Sequence, residues 1–415
     1  MARNIIFGLC GLVMLGCAAK PAPLSEAASH RAIIFVPGYK GSQLVDEEES
    51  VQWVNARQVF FGSTPLAVKQ RGFGPKDPKE LKPNGVLKAI SVLPILYSYP
   101  IYRPWLSALH ERFDRVARVI ELDYDWRKSN LELVQKLDAL IDDLRAHGVT
   151  DISVIGHSMG AKSLAYYLRY GAQAPHDAVE NWMGAKKIDR AVLAAAPFKG
   201  AITILRDFIY GNKVFFNHNL LSAEAVSSFP SAYQLLPPAE LDALVTPDGK
   251  SVAAKIFDVE SWKQGAWGPF APQMDDTQRA AAEEFVRAQL LESADFSRAL
   301  NRPPGAKPEA LRPAALLSVH GKGLWTLKKC LLAENLRPNV RCPDSGATEE
   351  LPTGTKEEDY YENGDGVVTT RSLRLPEAYR TSLFARELET EGEHLDVLNI
   401  PEIQRAIFQY LEGTR

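Results

Sequence analysis

The sequence has little of three features that would mark a specialised class of protein. Only four of its 415 residues are cysteine, too few for a scaffold held by disulfides, and their spacing does not fit a zinc site. Its 48 Lys and Arg residues are balanced by 51 Asp and Glu residues, and this formal net charge of -3 argues against binding of nucleic acid. With 46% hydrophobic and 24% charged residues, the composition excludes a disordered, collagen-like or multi-span membrane protein and predicts a globular one.

The N-terminus is typical of a secretory signal. Arg3 supplies a positive charge, and residues 5–16 form an apolar stretch that is too short to span a bilayer comfortably. The stretch ends in Val13-Met14-Leu15-Gly16-Cys17, which resembles the lipobox of bacterial lipoproteins, although Met14 stands where leucine is usual. The resemblance implies cleavage before Cys17 and attachment of lipid to its sulfur.

We therefore expect residues 1–16 to be a lipoprotein-type signal peptide and residues 17–30 to be a short tether. The alternatives are a secreted protein cleaved after Ala18 or Ala19 and an uncleaved anchor. By resemblance, Ala18 directly after the cysteine favours the outer membrane. The expected location is thus that of an exported protein, held by its N-terminal lipid to the outer membrane or the periplasmic face of a membrane.

Strand-like and helix-like segments follow the tether. Between Ser129 and Gly148, leucine and isoleucine recur at helical spacing, Ser129 and Glu132 predict a capping box, and Gly148 suits the end of the helix. The apolar, β-rich runs that predict buried parallel strands are residues 32–36, 118–122 and 152–155. The pattern predicts an α/β fold.

A serine motif lies between the third of these strands and a predicted helix at 161–170. It is Gly156-His157-Ser158-Met159-Gly160, and a nucleophile on such a sharp turn needs small neighbours because a Cβ there would collide with nearby backbone. The turn also puts the amide of Met159 at a helix N-terminus, where it can stabilise an oxyanion. We interpret Ser158 as a nucleophile. The alternative is a glycine-bounded turn with an ordinary serine.

A serine nucleophile needs a histidine base and an orienting carboxylate, which in this fold follow in the order Ser, acid, His. His394 is the last histidine and precedes a helix-like run at 397–411, so it is the predicted base. His320 would serve only if a later acid folded back out of order. Asp365, in the glycine-flanked turn Asn363-Gly364-Asp365-Gly366, is the predicted acid, and the alternative is a solvated turn residue.

With these residues placed, the chain resembles the lecithin:cholesterol acyltransferase family of α/β-hydrolases, which includes phospholipid acyltransferases and lysosomal phospholipases. The motifs stand in the family's order and cover most of residues 31–411. They are Phe35-Val36-Pro37-Gly38-Tyr39-Lys40-Gly41-Ser42-Gln43-Leu44, Tyr124-Asp125-Trp126-Arg127, residues 156–160, Ala196-Pro197-Phe198-Lys199-Gly200, residues 229–237, His320-Gly321-Lys322-Gly323, Gly364-Asp365-Gly366-Val367-Val368 and His394. The resemblance implies a mostly parallel central sheet flanked by helices, with inserted cap or lid regions.

The same resemblance assigns roles to single residues. It implies that Ser158 is the nucleophile, Asp365 the acid and His394 the base. It adds the amide of Lys40, two residues after the glycine of the Pro-Gly loop, to that of Met159 as a second oxyanion donor, and a backbone donor tolerates a changed side chain. It implies a lipid or phospholipid acyl ester as substrate, and neither a metal nor an organic cofactor.

The mouth of such a site is expected near Tyr39 and Lys199 if the motifs align. Lys40 and Lys199 stand where members of the family more often carry apolar or small residues. Two cations near the mouth give the hypothesis of a preference for anionic or phosphorylated head groups. The alternative is that both lysines are simply solvated.

Two inserts are expected within a hydrolase domain at 31–415, at about 46–103 and 201–312. The second carries little strand alternation but has aromatic clusters such as Phe215-Phe216, which either contact acyl chains as a cap or belong to the core. Cys330 and Cys342 lie 12 residues apart, and in an oxidising compartment they would close a loop before Asp365 as a disulfide.

The sequence therefore predicts an exported serine hydrolase or O-acyltransferase, such as a lipase or phospholipase. The two activities use the same residues and differ in whether water or an alcohol attacks the acyl-enzyme. Two other classes remain as alternatives: a catalytically silent lipid-binding protein of the envelope that keeps the fold, and a serine amidase.

Overall fold

The computed structural model describes residues 30–62, 65–74, 78–93, 97–214, 217–270, 274–305, 314–334, 336–343 and 356–413. The predicted signal peptide, Cys17 and the tether up to residue 29 lie outside the described residues, as does the Phe215-Phe216 pair. Among the helices of the described part, none is both long enough and apolar enough to cross a membrane.

The strands in chain order are β1 (Arg31–Val36), β2 (Ser42–Val45), β3 (Val51–Trp53), β4 (Lys82–Val86), β5 (Ala89–Leu93), β6 (Tyr97–Pro100), β7 (Arg118–Glu121), β8 (Asp151–His157), β9 (Arg190–Ala194), β10 (Leu244–Val245), β11 (Ala315–Lys322), β12 (Leu324–Leu327), β13 (Cys330–Leu332), β14 (Val340–Arg341), β15 (Tyr361–Gly364) and β16 (Phe384–Glu391). Six of them form a central sheet in the order β16-β11-β9-β8-β1-β7, and every neighbouring pair in it is parallel. The small sheets outside it are β3-β2-β4, β5-β6, β10-β13-β14 and β12-β15.

The α-helices are α1 (Ala56–Phe61), α2 (Arg103–Phe113), α3 (Asn130–Ala146), α4 (Met159–Tyr170), α5 (Met183–Lys187), α6 (Ile202–Tyr210), α7 (Ala223–Ser227), α8 (Pro230–Tyr233), α9 (Val259–Gly265), α10 (Asp276–Asn301), α11 (Glu357–Tyr360), α12 (Thr370–Leu373), α13 (Glu377–Ser382) and α14 (Pro401–Glu412). Short 3₁₀ turns lie at Pro175–Asp177, Ala239–Leu241 and Ala253–Phe257.

Both faces of the central sheet are covered, and β1 shows how the sequence arranges this. Because successive side chains of a strand point to opposite faces, Ile34 joins the core on one side, which includes Leu133 and Leu137 of α3. Ile33 joins the core on the other side together with Trp105 of α2. All the side chains between 32 and 36 are buried, which explains why the strand is a continuous apolar run.

The predicted strands and helices are present, with differences at their ends. The strand expected at 152–155 is longer, and α4 begins at Met159, directly after the serine. The last helix begins at Pro401 rather than near Val397, because proline is favoured at the first helical position and cannot donate an internal hydrogen bond.

The predicted capping box of α3 is wrong. The Ser129 hydroxyl accepts a hydrogen bond from the Leu131 amide at 3.3 Å, but Glu132 lies 3.7 Å from the Lys128 ammonium instead of reaching back to the cap. Gly148 follows the helix with a φ of 83°, the left-handed conformation that glycine adopts without strain.

Two long segments leave the central sheet where inserts were expected. Between β1 and α2 the chain forms β2 to β6 and α1, and between β9 and β11 it forms mainly helices, of which α10 is the longest. After β11, Cys330 on β13 and Cys342 just past β14 are joined by a disulfide that links the two antiparallel strands.

Candidate active site

Ser158 occupies the tight turn between β8 and α4 and has a φ of 54° and a ψ of -120°, an unfavourable backbone conformation for a residue with a side chain. A Cβ on Gly156 would lie 2.6 Å from the Cα of Ala161, and one on Gly160 would lie 2.4 Å from the carbonyl oxygen of Pro37. Glycine is thus sterically required on both sides of the serine. The turn holds the hydroxyl at the carboxyl edge of the central sheet.

Ser158, His394 and Asp365 lie in one hydrogen-bonded series. The Oγ atom of Ser158 lies 2.8 Å from Nε2 of His394, whose Nδ1 lies 2.6 Å from Oδ2 of Asp365. The carboxylate accepts from Nδ1–H, which leaves Nε2 free to accept from the serine hydroxyl. Asp365 is 1% exposed and His394 5% exposed, so the bond between these two side chains is shielded from water.

Backbone groups hold the acid in place. The Oδ1 atom of Asp365 accepts hydrogen bonds from the amides of Val367 at 3.1 Å and Val368 at 2.7 Å. The carbonyl oxygen of Asp365 accepts from the His394 amide at 3.0 Å. The second carboxylate oxygen therefore remains directed at the imidazole.

His320, the alternative base, is not part of this series. It is buried in β11, with its Nε2 atom 3.5 Å from a carboxylate oxygen of Glu389, and burial lowers its pKa. Of the two histidines considered from the sequence, the structure therefore brings His394 to Ser158.

The Pro-Gly loop packs directly on the serine. A Cβ on Gly38 would lie 2.8 Å from the Cβ of Ser158, so only glycine permits this approach. Lys40 has a φ of 66°, a left-handed conformation. Its carbonyl oxygen accepts from the indole of Trp53 at 2.9 Å, and the carbonyl oxygen of Pro37 accepts from the hydroxyl of Tyr124 at 2.9 Å.

Ser158 and His394 open into a cavity of about 300 Å³. Tyr39 and Lys40 contribute to one part of its lining, as expected for a site mouth. Much of the remaining lining is apolar, and its larger apolar side chains include Ile204, Leu235, Trp325, Leu327, Val367 and Val368. The cavity therefore combines a polar reaction centre with a wall suited to hydrocarbon.

One charged pair lies in this cavity. The ammonium of Lys40 is 3.9 Å from Oδ2 of Asp207, and both carboxylate oxygens of Asp207 accept from the side-chain amide of Asn212 at 3.1 Å. Burial raises the pKa of Asp207 and lowers that of Lys40, and in each case the partner's charge opposes the shift. Asp207 thus balances the cation that the sequence placed at the mouth.

Lys199, which was expected near the mouth of the site, does not line this cavity. Lys199 lines two other depressions, one with Arg374 and Arg380 and another with Phe257. Its amide donates to the hydroxyl of Ser372 at 3.1 Å. The chain makes a turn here, in which the Gly200 amide donates to the Pro197 carbonyl oxygen at 3.0 Å, and Pro197 lines the cavity while Lys199 does not.

Sequence reasoning missed Asp207 and Trp325. Asp207 is the one acid of α6, where it follows Arg206 among mostly apolar residues, and an acid in such a helix could have drawn attention to it. Trp325 lies on β12, which pairs with β15 just before Asp365, and no local signal connects it to the serine.

In the described part of the chain, no group of three or more His, Cys, Asp or Glu side chains is arranged to hold a metal ion.

The sheet topology and its similarity to solved structures define the protein as an α/β-hydrolase by fold. A structure described as the Tle4–Tli4 complex aligns with 92% of this chain and 98% of its own chain, with a TM-score of 0.54 at 13% identity. The mature lipase BlEst2 of Bacillus licheniformis aligns over 95% of this chain and 94% of its own, but at 10% identity and a TM-score of 0.37 this likeness supports no inference.

The family follows from the sequence itself. The model of the lecithin:cholesterol acyltransferase family matches residues 58–277, more than half of the chain, and the protein belongs to that family. The match includes Ser158 and ends before Asp365 and His394. Among curated proteins no significant match is found. Family membership supports a hydrolase or acyltransferase.

Proposed function

We propose that the protein is a serine-dependent acyl-ester hydrolase or O-acyltransferase that acts on lipid or phospholipid esters through an acyl-enzyme on Ser158. The observation that carries the proposal is the series from Asp365 through His394 to Ser158, with distances of 2.6 and 2.8 Å, at a cavity with an apolar wall. Family membership supports the choice of an acyl ester as substrate.

The first half of the proposed reaction forms the acyl-enzyme. The Oγ atom of Ser158 bonds to the ester carbonyl carbon while its proton passes to Nε2 of His394, and the carbonyl oxygen becomes an oxyanion. The amides of Lys40 and Met159 stabilise that charge. The bond from carbon to the leaving oxygen then breaks, and His394 returns the proton to the alcohol that departs.

The second half repeats these steps with a new nucleophile. Water or an acceptor alcohol gives its proton to His394 and attacks the acyl carbon, and the bond to Ser158 breaks as the serine regains its proton. Asp365 keeps the imidazole in the tautomer with hydrogen on Nδ1 and stabilises its charged form. Water yields a fatty acid, and an alcohol yields a new ester.

The insert at 201–312 is proposed to act as a cap over the acyl chain. Ile204 and Leu235, both from this insert, lie in the cavity wall. None of the described residues that line the cavity belongs to a strand of the central sheet. The insert at 46–103 supplies Trp53, which supports the Pro-Gly loop. Each insert thus contributes to the site rather than to the sheet.

A preference for anionic head groups is proposed from the charges in the cavity. Lys40 and Arg206 are two cations among the residues that line it, and Asp207 is an acid beside them. Lys40→Met should reduce the ratio of kcat/KM for an anionic over a zwitterionic phospholipid by about fivefold, as expected for loss of one partly exposed ion contact. The matched control is Lys199→Met, which removes a lysine outside the cavity. Equal ratios for both variants and the unmodified protein would reject the preference.

The activity is tested by incubating the purified protein with phospholipid and a long-chain alcohol and measuring free fatty acid and new ester. Accumulation of either product, and its loss in Ser158→Ala, supports the proposal and distinguishes hydrolase from acyltransferase. No product from the unmodified protein would favour a lipid-binding protein. Cleavage of acyl amides in preference to esters would favour a serine amidase.

Export and lipid attachment at Cys17 are proposed from the lipobox-like sequence. The disulfide between Cys330 and Cys342 supports an oxidising compartment, since such bonds are rare in the cytosol. Labelling of cells with a fatty-acid analogue should tag the protein, whereas Cys17→Ser should not be tagged. A tag that survives in Cys17→Ser, or its absence from the unmodified protein, would reject the anchor.

A further inference from the structure

A buried chain of hydrogen bonds connects the Pro-Gly loop to the backbone of His394. The amide of Gly38 donates to the hydroxyl oxygen of Tyr102 at 2.9 Å, and that oxygen lies 2.6 Å from Nδ1 of His157. The Nε2 atom of His157 lies 3.0 Å from the carbonyl oxygen of His394. Tyr102 is 3% exposed and His157 is fully buried, so water does not compete for these bonds.

The backbone groups at the two ends fix the direction of each bond. A carbonyl oxygen only accepts, so Nε2 of His157 carries a hydrogen and donates it to His394. In a neutral imidazole Nδ1 then accepts, so the hydroxyl of Tyr102 donates to it while its oxygen accepts from Gly38. Burial, together with the neighbouring His394 ring, lowers the pKa of His157 to about 3 and keeps this ring neutral.

We propose that Tyr102 and His157 are positioning residues that tie the loop carrying the Lys40 amide to the backbone carrying the His394 imidazole. The inference rests on the proposed function, because it concerns how the oxyanion donor and the base are held relative to Ser158. Neither Tyr102 nor His157 lines the cavity, so they act through other residues.

Both ends of the chain need such support. Lys40 adopts a left-handed backbone conformation, and an unfavourable conformation persists only where its surroundings fix it. At the other end, the His394 amide donates to the carbonyl oxygen of Asp365, and the carbonyl oxygen of His394 accepts from Nε2 of His157. His394 is thereby fixed on both sides of its Cα.

The test measures the second-order rate constant for reaction of Ser158 with an alkyl fluorophosphonate, which requires no knowledge of the natural substrate. Tyr102→Phe and His157→Leu should each lower this constant about 10-fold, because small displacements of catalytic groups are costly. His157→Gln keeps a donor near the position of Nε2 and should recover most of the rate. The double variant with Tyr102→Phe and His157→Leu should again lower the rate constant about 10-fold rather than about 100-fold, since both residues act in one chain of hydrogen bonds.

The matched control is Tyr170→Phe. This residue is also buried, and its hydroxyl donates to the Ala299 carbonyl oxygen at 2.7 Å. It lies on α4 twelve residues beyond Ser158, which corresponds to a distance of about 18 Å along the helix axis. It should lose thermal stability like Tyr102→Phe but keep its labelling rate. Full labelling rates in Tyr102→Phe and His157→Leu, or additive losses in the double variant, would overturn the proposal.

Two further measurements separate the possible failures. If Ser158→Ala is labelled as fast as the unmodified protein, the proposed function itself is wrong. If Ser158→Ala is not labelled but the Tyr102 and His157 variants are labelled at the full rate, only the positioning roles are rejected. ¹⁵N-histidine NMR of the unmodified protein needs no variant to fold. It should show His157 neutral with hydrogen on Nε2 between pH 5 and 9, and hydrogen on Nδ1 would contradict the bond directions.

Discussion

The Nε2 atom of His394 lies 2.8 Å from the Oγ atom of Ser158, although the two residues are 236 positions apart in the chain. Ser158 directly follows β8, and His394 follows β16 in the same parallel sheet. Carboxyl ends of parallel strands meet at one edge of a sheet, which is where α/β proteins place their ligands. The central sheet thus brings the predicted nucleophile and base together.

Asp365→Asn should keep the fold and lose activity. An amide in place of the carboxylate disfavours the imidazole tautomer that has hydrogen on Nδ1, and in serine enzymes with this arrangement the same change lowers kcat about 10⁴-fold. The measurement is ester turnover beside thermal unfolding. Glu393→Gln, which removes an exposed carboxylate next to His394, is the control and should keep its turnover. Normal turnover in Asp365→Asn would contradict the assigned role of the acid.

Gly160→Ala should both destabilise the protein and reduce its activity. The new Cβ would lie 2.4 Å from the Pro37 carbonyl oxygen and 2.6 Å from that of Val36, and neither is a flexible side-chain end. Overpacking of this kind costs about 1–3 kcal/mol and would push the Pro-Gly loop away from Ser158. Urea unfolding and labelling rate measure the two effects. Gly413→Ala, at the end of α14, is the control, and equal behaviour of both variants would argue against the packing described.

Lys162 should make the stability depend on pH. It is fully buried on α4, its ammonium donates to the Gln234 carbonyl oxygen at 2.7 Å, and burial lowers its pKa to about 7. In the unfolded chain the pKa of this lysine is about 10.4, so between pH 7 and that value Lys162 is protonated in the unfolded state and neutral in the folded state. The free energy of unfolding therefore rises with pH, by up to about 1.4 kcal/mol per pH unit. Below pH 7 both states are protonated and this contribution no longer changes.

The check is the free energy of unfolding from urea titrations between pH 6 and 10, compared with Lys162→Met. The difference, unmodified protein minus variant, should be flat near pH 6 and rise above pH 7. The exposed Lys128→Met serves as the control and should show a constant difference. A difference that stays constant for Lys162→Met would show that the lysine keeps its ordinary pKa in the folded protein.

Loss of the disulfide should cost stability. The bond between Cys330 and Cys342 closes a loop with a sequence separation of 12, and removing a cross-link of that size costs about 2–4 kcal/mol. The double variant Cys330→Ser and Cys342→Ser should therefore melt at a lower temperature than the unmodified protein. A reducing agent should lower the melting temperature of the unmodified protein to that of the variant and leave the variant unchanged. Insensitivity of both to reduction would mean that the bond is not formed in solution.

Local signals explain what the sequence could predict. The serine turn was readable because steric demand places glycine at 156 and 160, and Asp365 and His394 followed from chain order. The position of the Lys199 side chain could not be predicted, since the cavity is lined by segments that are far apart in the chain and only the tertiary fold shows which side chains reach it. The pairing of Lys40 with Asp207 was missed for a related reason: it joins two segments about 170 residues apart that only the tertiary fold brings together.

The most direct test of the central claim is intact-protein mass spectrometry after reaction with an alkyl fluorophosphonate, followed by peptide mapping. We expect one adduct per chain, located on Ser158, and none in Ser158→Ala, and the same variant should neither release fatty acid nor form ester from phospholipid. An unmodified Ser158 in folded protein, or turnover that persists in Ser158→Ala, would contradict it.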